Sequence, residues 1–279
     1  MLGTLDVRTI PVSSTPLVLN GFLHRPPAMS QTERVTAAVL VIGDEILSGR
    51  TADTNTAYIA KFLAALGIDL CGARVVPDLH DEIVAALNAL RSRYSYVFTT
   101  GGIGPTHDDI TFDAVAAAFG VGIDYHPEVM AMMAARYKPG EFNEARKRMA
   151  RIPLGAELVR NSVSTAPGVH IGNVFVMAGV PMIMRAMLDA IETRLKRGAV
   201  VHVATVQAKV PEGRIAGGLE AIQRRHGDIA IGSYPYYRED GAGVQLVARG
   251  RDKDEVEIAA AEIETLLREM DVEPLRVPS

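Results

Sequence analysis

Residues 99–111 read TTGGIGPTHDDIT, and this stretch places three glycines beside two adjacent aspartates. Glycine-rich turns present backbone N–H groups to phosphate oxygens, and the start of a following helix also favours an anion. A carboxylate repels phosphate unless a divalent cation lies between them, and Mg²⁺ prefers one or two carboxylates plus phosphate oxygens. The stretch therefore predicts a metal–phosphate site at the junction of a strand and a helix.

Strand and helix patterns alternate on both sides of this stretch. Apolar runs at 35–43, 70–77 and 96–100 are typical of strands, and each is followed by an amphipathic pattern. A hairpin-like pair of strands is predicted at 156–161 and 170–179, after which Pro181 opens a helix. Repeated strand–helix–strand units predict an α/β fold of three layers, in which a mostly parallel sheet lies between helices.

The chain divides into three parts by pattern. Residues 1–34 contain turn formers and no sustained period, which predicts an extension outside the core fold. Residues 35–197 form the predicted α/β domain. Residues 198–279 follow a β-α-β-β-α order, which suits a small α+β domain with an antiparallel hairpin.

Composition excludes several classes of partner. The chain has 279 residues and a formal net charge of −4, so it lacks the basic footprint of a nucleic-acid-binding protein. It has no apolar run long enough for a membrane span and no convincing signal peptide, so we expect a cytoplasmic protein. Its single cysteine, Cys71, cannot form an internal disulfide and is expected to be buried.

Acidic residues follow each of the first three predicted strands. Asp44 and Glu45 follow the first, Asp78 the second, and Asp108 and Asp109 the third. In open α/β sheets, ligands bind outside the carboxyl ends of the strands, so these acids are expected to share one edge and to hold a divalent metal such as Mg²⁺. The alternatives are that each acid only caps a helix, a reading that suits Asp109 and also Asp81, or that they are unrelated loop residues in solvent.

The glycine-rich loop supplies the candidate phosphate ligands. The N–H groups of Gly101, Gly102 and Gly104 are expected to hold phosphate oxygens, with hydroxyl groups from Thr100 and Thr106. The sequence has no P-loop, no dinucleotide-binding fingerprint, no HExxH and no GxSxG motif, which disfavours those classes of site.

Five motifs in this order resemble one known family. They are GDEILSGRTADTN (43–55), VVPD (75–78), TTGGIGPTHDDIT (99–111), STAPG (164–168) and AGVP (178–181). Together they are similar to the MoaB/Mog-type molybdopterin-binding domain, in the version found at the N-terminus of competence/damage-inducible protein A (CinA). The similarity spans about residues 35–190, and the small domain resembles the one that follows in CinA-type proteins.

The resemblance implies a phosphorylated small-molecule ligand, either a nucleotide or molybdopterin. It implies functional roles for Asp78 and Asp109, and it adds ligand-binding candidates in the family's second loop, namely Thr165, Gly168, Gly179 and Pro181. Pro105 and Asp108 of the glycine-rich loop are further candidates for binding the phosphate. CinA-type domains are associated with metal-dependent cleavage of ADP-ribose at its pyrophosphate.

This sequence also departs from the family pattern. Ala178 replaces the usual proline and Ile183 replaces a glutamate, so substrate choice is open. Because the chain ends at Ser279, we expect no amidase domain. Three hypotheses stand: a metal-dependent pyrophosphatase for ADP-ribose or a similar diphosphate, a molybdopterin-binding or adenylyl-transfer protein, and a non-catalytic binding module. A homo-oligomer is expected, with a dimer favoured over a trimer.

Overall fold

A computed structural model describes residues 34–138, 140–238 and 241–277 of the protein. The predicted N-terminal extension lies almost wholly outside these residues. The strands are β1 (Thr36–Ile42), β2 (Asp69–Val76), β3 (Tyr96–Thr100), β4 (Ile123–Tyr125), β5 (Arg151–Pro153), β6 (Glu157–Val159), β7 (Gly168–Ile171), β8 (Val174–Met177), β9 (His202–Ala208), β10 (Ala230–Arg238), β11 (Gly241–Gly250) and β12 (Leu275–Val277). The helices are α1 (Asp44–Leu47), α2 (Asn55–Ala65), α3 (His80–Arg91), α4 (Thr111–Phe119), α5 (Pro127–Arg136), α6 (Glu144–Lys147), α7 (Pro181–Ile191), α8 (Glu212–Arg225) and α9 (Lys253–Glu269).

A six-stranded sheet organises the first part of the chain, in the order β2-β1-β3-β8-β7-β6. Strands β2, β1, β3 and β8 run parallel, and β7 and β6 continue the sheet in antiparallel fashion. β1 and β3 lie inside the sheet and are almost entirely buried, which explains their continuous apolar sequences. The predicted α/β fold with a mostly parallel sheet is confirmed.

Helices cover this sheet in two pairs. α2 packs with α7, and α3 packs with α4. The apolar stripe of α3, formed by Ile83, Ala86, Leu87 and Leu90, is buried in the core as its period predicts. α2 begins where the Asp53 carboxylate accepts the N–H groups of Asn55 and Thr56, at 2.9 and 3.1 Å, so Asp53 caps this helix.

The hairpin prediction was wrong in its details. The sequence predicts one strand at 170–179, but this range contains the end of β7 and all of β8, which pair antiparallel around Gly172 and Asn173. Gly172 has φ +58°, a left-handed conformation that suits a tight turn. The Gly172-Asn173 pair between the two apolar runs is a sequence signal for this two-residue turn, and the single-strand prediction overlooked it.

A second, antiparallel sheet organises the rest of the chain, in the order β10-β11-β9-β12. α8 and α9 pack against each other, and α9 lies on β9 and β11. Their buried residues form an apolar core separate from that of the first sheet, with Ile215, Leu219 and Ile222 of α8 among its members. The predicted α+β character is observed, and β12 is an additional strand that the sequence analysis did not predict.

Polar contacts join the two sheets through Asp69, at the start of β2. Its Oδ2 atom accepts hydrogen bonds from Arg34 Nε at 2.7 Å and from Arg251 Nη2 at 2.9 Å. Arg251 follows β11, so this carboxylate bridges residues that are far apart in the chain. Gly198 N–H also donates to the Leu66 carbonyl at 3.0 Å.

Cys71 is exposed, contrary to the expectation that it would be buried. It lies on β2, which is an edge strand of the six-stranded sheet, and several β2 residues face solvent. A run that looks extended in sequence does not reveal whether its strand lies at the edge or in the middle of a sheet. No helix in the described part of the chain is long and apolar enough to cross a membrane.

Candidate functional site

Four loops meet at one edge of the six-stranded sheet. They follow the carboxyl ends of β1, β2, β3 and β8, which are parallel neighbours and therefore end on the same side. These loops contain the acids after β1 and β2, the glycine-rich stretch after β3, and residues 178–180 before α7. The edge predicted from the sequence is thus assembled from residues far apart in the chain.

The glycines of the loop after β3 have different roles. Gly101 N–H already donates to the Met177 carbonyl at 3.2 Å, so it is not free for a phosphate, contrary to the expectation. A Cβ atom at Gly101 would lie 2.1 Å from the Ile42 carbonyl oxygen, so this glycine is required by close backbone packing. Gly102 and Gly104 show no hydrogen bond from their N–H groups to the described residues, and these two donors remain available.

Asp109 shapes the loop from within. Its Oδ2 atom accepts hydrogen bonds from Thr106 N–H, at 2.8 Å, and from the Thr106 hydroxyl. The residue that precedes α4 is Ile110, which makes no side-chain cap, so the helix-cap alternative for Asp109 was wrong. The helix start is instead fixed by Thr111, whose Oγ1 donates to the Gly101 carbonyl at 3.0 Å.

Asp78 is the acid most affected by its surroundings. Its pKa is raised, first by burial and then by the negative charges of Asp44, Glu45 and Asp108, although a hydrogen bond from Asp44 N–H opposes the rise. That N–H lies 2.9 Å from Asp78 Oδ2. Acids from three separate loops are therefore close enough to repel one another.

Asp108 faces this cluster from the glycine-rich loop. Its pKa is lowered, chiefly by the nearby Thr106 hydroxyl and by its own N–H, with smaller contributions from His107 and Arg148. The side chain of Asp108 is 59% exposed, so it can turn toward a ligand at the sheet edge. The acid of the motif that acts electrostatically on Asp78 is thus Asp108, whereas Asp109 is engaged by Thr106.

These acids fit one kind of metal site and not another. In the described part of the chain, no three His, Cys, Asp or Glu side chains converge as a ready-made metal-binding group. A closed cage of protein ligands is therefore not supported. The mutual repulsion at Asp78 fits a cation held by one or two carboxylates and completed by phosphate oxygens, which is the arrangement that Mg²⁺ favours.

A small pocket of about 70 Å³ lies beside the glycine-rich loop. Five predicted residues line it, namely Glu45, Thr100, Gly101, Gly179 and Pro181. The segment Thr51–Asn55, whose residues were not among the predicted ligand-binding positions, forms another wall. It lies within the family motif at 43–55, and that motif was the available signal.

The remaining predicted residues have separate positions. Gly168 begins β7 and is buried, and a Cβ atom there would lie 2.2 Å from the Val176 carbonyl oxygen, so its glycine is explained by strand packing. Thr165 lies in the loop before it, partly exposed, and Pro105 lies in the glycine-rich loop. None of these three lines the pocket, and their ligand-binding roles stay predictions.

A larger cavity, of about 500 Å³, lies away from this edge between α8 and β10. It is wide and its walls include Ala216, Leu219 and Ile231, with Glu212 and Glu220 among the polar residues. It has no glycine-rich loop and no group of acids from separate strands. Its size alone does not indicate the chemistry, and we place the candidate site at the sheet edge.

The sequence profile described as "Probable molybdopterin binding domain" matches residues 38–197, which contain all four loops. The chain belongs to this family. Within it, the protein is CinA-like: a solved structure of the protein CinA, with unknown function, from Thermoplasma acidophilum superposes with a TM-score of 0.55 at 35% identity, over 58% of this chain and 98% of that chain.

Two relatives of this molybdopterin-binding-domain protein cover most of its length. A protein of Archaeoglobus fulgidus is 33% identical over 83% of this chain and 97% of the relative. A "CinA-like protein" of Frankia casuarinae is 32% identical over 83% of this chain and 58% of the relative. The resemblance to CinA-type proteins predicted from the motifs is confirmed.

The part of the chain that contains the second sheet matches a different family profile. The profile described as "FAD synthase, middle domain" matches residues 200–276. A "Probable FAD synthase" of Caenorhabditis elegans is 30% identical over 88% of this chain and 52% of the relative. The chain thus corresponds to about half of that relative's length.

Proposed function

We propose that this CinA-like protein is a metal-dependent pyrophosphatase that cleaves ADP-ribose or a similar nucleotide diphosphate. The observation that carries the proposal is the crowding of acids from three loops around Asp78, beside a loop with two free N–H donors. A phosphate held by those donors would be repelled by the acids unless a cation lay between the carboxylates and the phosphate. When bound, such a cation polarises phosphate oxygens and lowers the pKa of a coordinated water.

The residues of the site would hold the cation, bind the phosphate and position the loop. Asp78, with Asp44, Glu45 or Asp108, would supply the carboxylates, and Gly102 and Gly104 would donate their N–H groups to phosphate oxygens. Asp109 would act on the reaction by holding Thr106 and so fixing the loop, which makes it a positioning residue in this proposal. The earlier expectation that Asp109 itself holds metal is replaced by this role.

The experiment is incubation of the full chain with ADP-ribose and Mg²⁺, Mn²⁺ or Co²⁺, followed by separation of the products. AMP and ribose 5-phosphate should appear in equal amounts and should disappear with EDTA. Asp78→Asn should abolish product, whereas Asp81→Asn, which changes a fully exposed acid on α3, should leave it unchanged. Absence of product with every metal would refute the proposal.

A second function is favoured by the two family matches. Profiles described for a molybdopterin-binding domain and for an FAD synthase middle domain together cover most of the described chain. They support molybdopterin binding or adenylyl transfer at the same sheet edge, with a pterin or flavin phosphate in place of the diphosphate. Fluorescence from a co-purified pterin or flavin, combined with no cleavage of ADP-ribose, would favour this function over the first.

A further inference from the structure

Asn55, the first residue of α2, is a buried polar side chain on the wall of the 70 Å³ pocket. Only 8% of the residue is exposed. Its Nδ2 atom donates to the Gly179 carbonyl at 2.8 Å, but its Oδ1 atom is buried and has no hydrogen-bond partner among the described residues. Buried polar atoms in proteins are nearly always paired, so this acceptor requires an explanation.

The orientation of the Asn55 amide is fixed by its surroundings. Rotating the amide by half a turn would place Oδ1 against the Gly179 carbonyl oxygen, and two acceptors would then face each other. Helix capping does not require this side chain, because the Asp53 carboxylate already accepts the first N–H groups of α2. Oδ1 is therefore held as a fixed acceptor on a residue that lines the pocket together with Thr100, Gly101 and Gly179.

We propose that Asn55 selects the head group of the ligand by accepting a hydrogen bond from an N–H or O–H group on it. The inference rests on the proposed function, since it concerns the same sheet edge and a phosphorylated ligand. A pocket of about 70 Å³ is well below the size of a site that encloses a whole small molecule, so only an edge of the ligand enters it. That edge is either the amino group of a base or a hydroxyl of a ribose.

The test uses an Asn55→Leu variant, which keeps a similar volume and removes both polar atoms. Calorimetry with Mg²⁺ would measure binding of α,β-methylene-ADP-ribose, which cannot be hydrolysed, and of inorganic pyrophosphate, which has no head group. The variant is expected to bind the ADP-ribose analogue about tenfold more weakly or worse. Its affinity for pyrophosphate is expected to equal that of the wild type.

Two smaller probes identify which half of the analogue carries the donor. AMP is the adenosine half, with the base and the first sugar, whereas ribose 5-phosphate carries the hydroxyl groups of the second sugar. If the donor lies on the adenosine half, the variant loses affinity for AMP and keeps its affinity for ribose 5-phosphate. The reverse pattern assigns the donor to the second sugar.

A matched control is available on the next residue. Thr56 Oγ1 is also buried without a hydrogen-bond partner among the described residues, but Thr56 does not line the pocket. Thr56→Val should therefore leave every affinity unchanged. If Asn55→Leu fails to fold, Asn55→Ala provides the same comparison with a smaller side chain.

The possible failures are distinguishable. Equal affinity of wild type and Asn55→Leu for the ADP-ribose analogue would overturn the inference, and so would an equal loss for the analogue and pyrophosphate, which would show a loop-positioning role alone. Wild-type protein that binds the analogue tightly but does not cleave ADP-ribose would overturn the proposed function and leave the comparison of affinities intact. Wild-type protein that binds neither probe would overturn both.

Discussion

Replacing Gly101 with alanine tests the claim that backbone packing fixes the glycine-rich loop. Gly101 has φ +104°, outside the range that a residue with a side chain readily adopts. The added Cβ atom would lie 2.1 Å from the Ile42 carbonyl oxygen, which belongs to the central strand β1 and cannot move as a side chain could. Either the loop shifts away from β1 or the strand is distorted.

The expected loss of stability combines two terms. A left-handed conformation costs a residue with a side chain about 1–2 kcal/mol. Forced overpacking against well-packed atoms adds about 1–3 kcal/mol. The free energy of unfolding should therefore fall by about 2–5 kcal/mol, and the ligand site should be damaged as well.

Gly120→Ala is the matched control for Gly101→Ala. Gly120 has φ +66° at the end of α4, and a Cβ atom there would meet no other atom within 4 Å. It should lose only the conformational term, about 1–2 kcal/mol. Urea unfolding followed by circular dichroism measures both variants. Equal losses for the two would refute the packing argument, because the contact with Ile42 would then cost nothing.

Three further predictions concern other parts of the molecule. Asp78→Asn should leave the melting temperature unchanged or raise it, because it removes a half-buried charge that neighbouring acids repel; a fall of several degrees would contradict this. Burial and the positive charge of Arg194 lower the pKa of His170 below 6.5 in the folded protein. As the pH falls, the unfolded chain therefore binds this proton before the folded protein does. The free energy of unfolding decreases from pH 6.5 down through the lowered pKa of the folded state. His170→Gln should therefore flatten the decline of melting temperature below pH 6.5, and an unchanged pH profile would count against it. Asp69→Asn weakens the contacts to Arg34 and Arg251 and should lower the free energy of unfolding by about 1–3 kcal/mol; Asp124→Asn, an exposed acid on β4, is its control and should have little effect.

Much of the fold could be predicted from the sequence because local patterns matched the final structure. The apolar runs of β1 and β3 and the stripe on α3 are consistent with their buried positions. The β7–β8 turn was missed although Gly172-Asn173, a pair typical of two-residue hairpin turns, separates the two short apolar runs. The exposure of Cys71 depended on which strand lies at the sheet edge, and that is a property of the topology.

The site was predictable to a lesser degree. The sheet edge followed from the rule that parallel strands end together, and the acids at that edge followed from their positions after the strands. The sequence did not show that Asp109 binds Thr106 whereas Asp108 faces Asp78, because these positions depend on the conformation of the loop around Thr106. Asn55 was missed because its partner, Gly179, lies 124 residues away in the chain.

The most direct test of the central claim is whether metal and phosphate bind this edge together. Paramagnetic resonance can measure free Mn²⁺ during titration of the full chain, with and without α,β-methylene-ADP-ribose. Since no three acidic or histidine side chains converge in the described residues, Mn²⁺ alone should bind weakly. The analogue should tighten Mn²⁺ binding about tenfold or more, and Asp78→Asn should remove that gain. Mn²⁺ affinity that is the same with and without the analogue, or that is unaffected by Asp78→Asn, would contradict the shared metal–phosphate site.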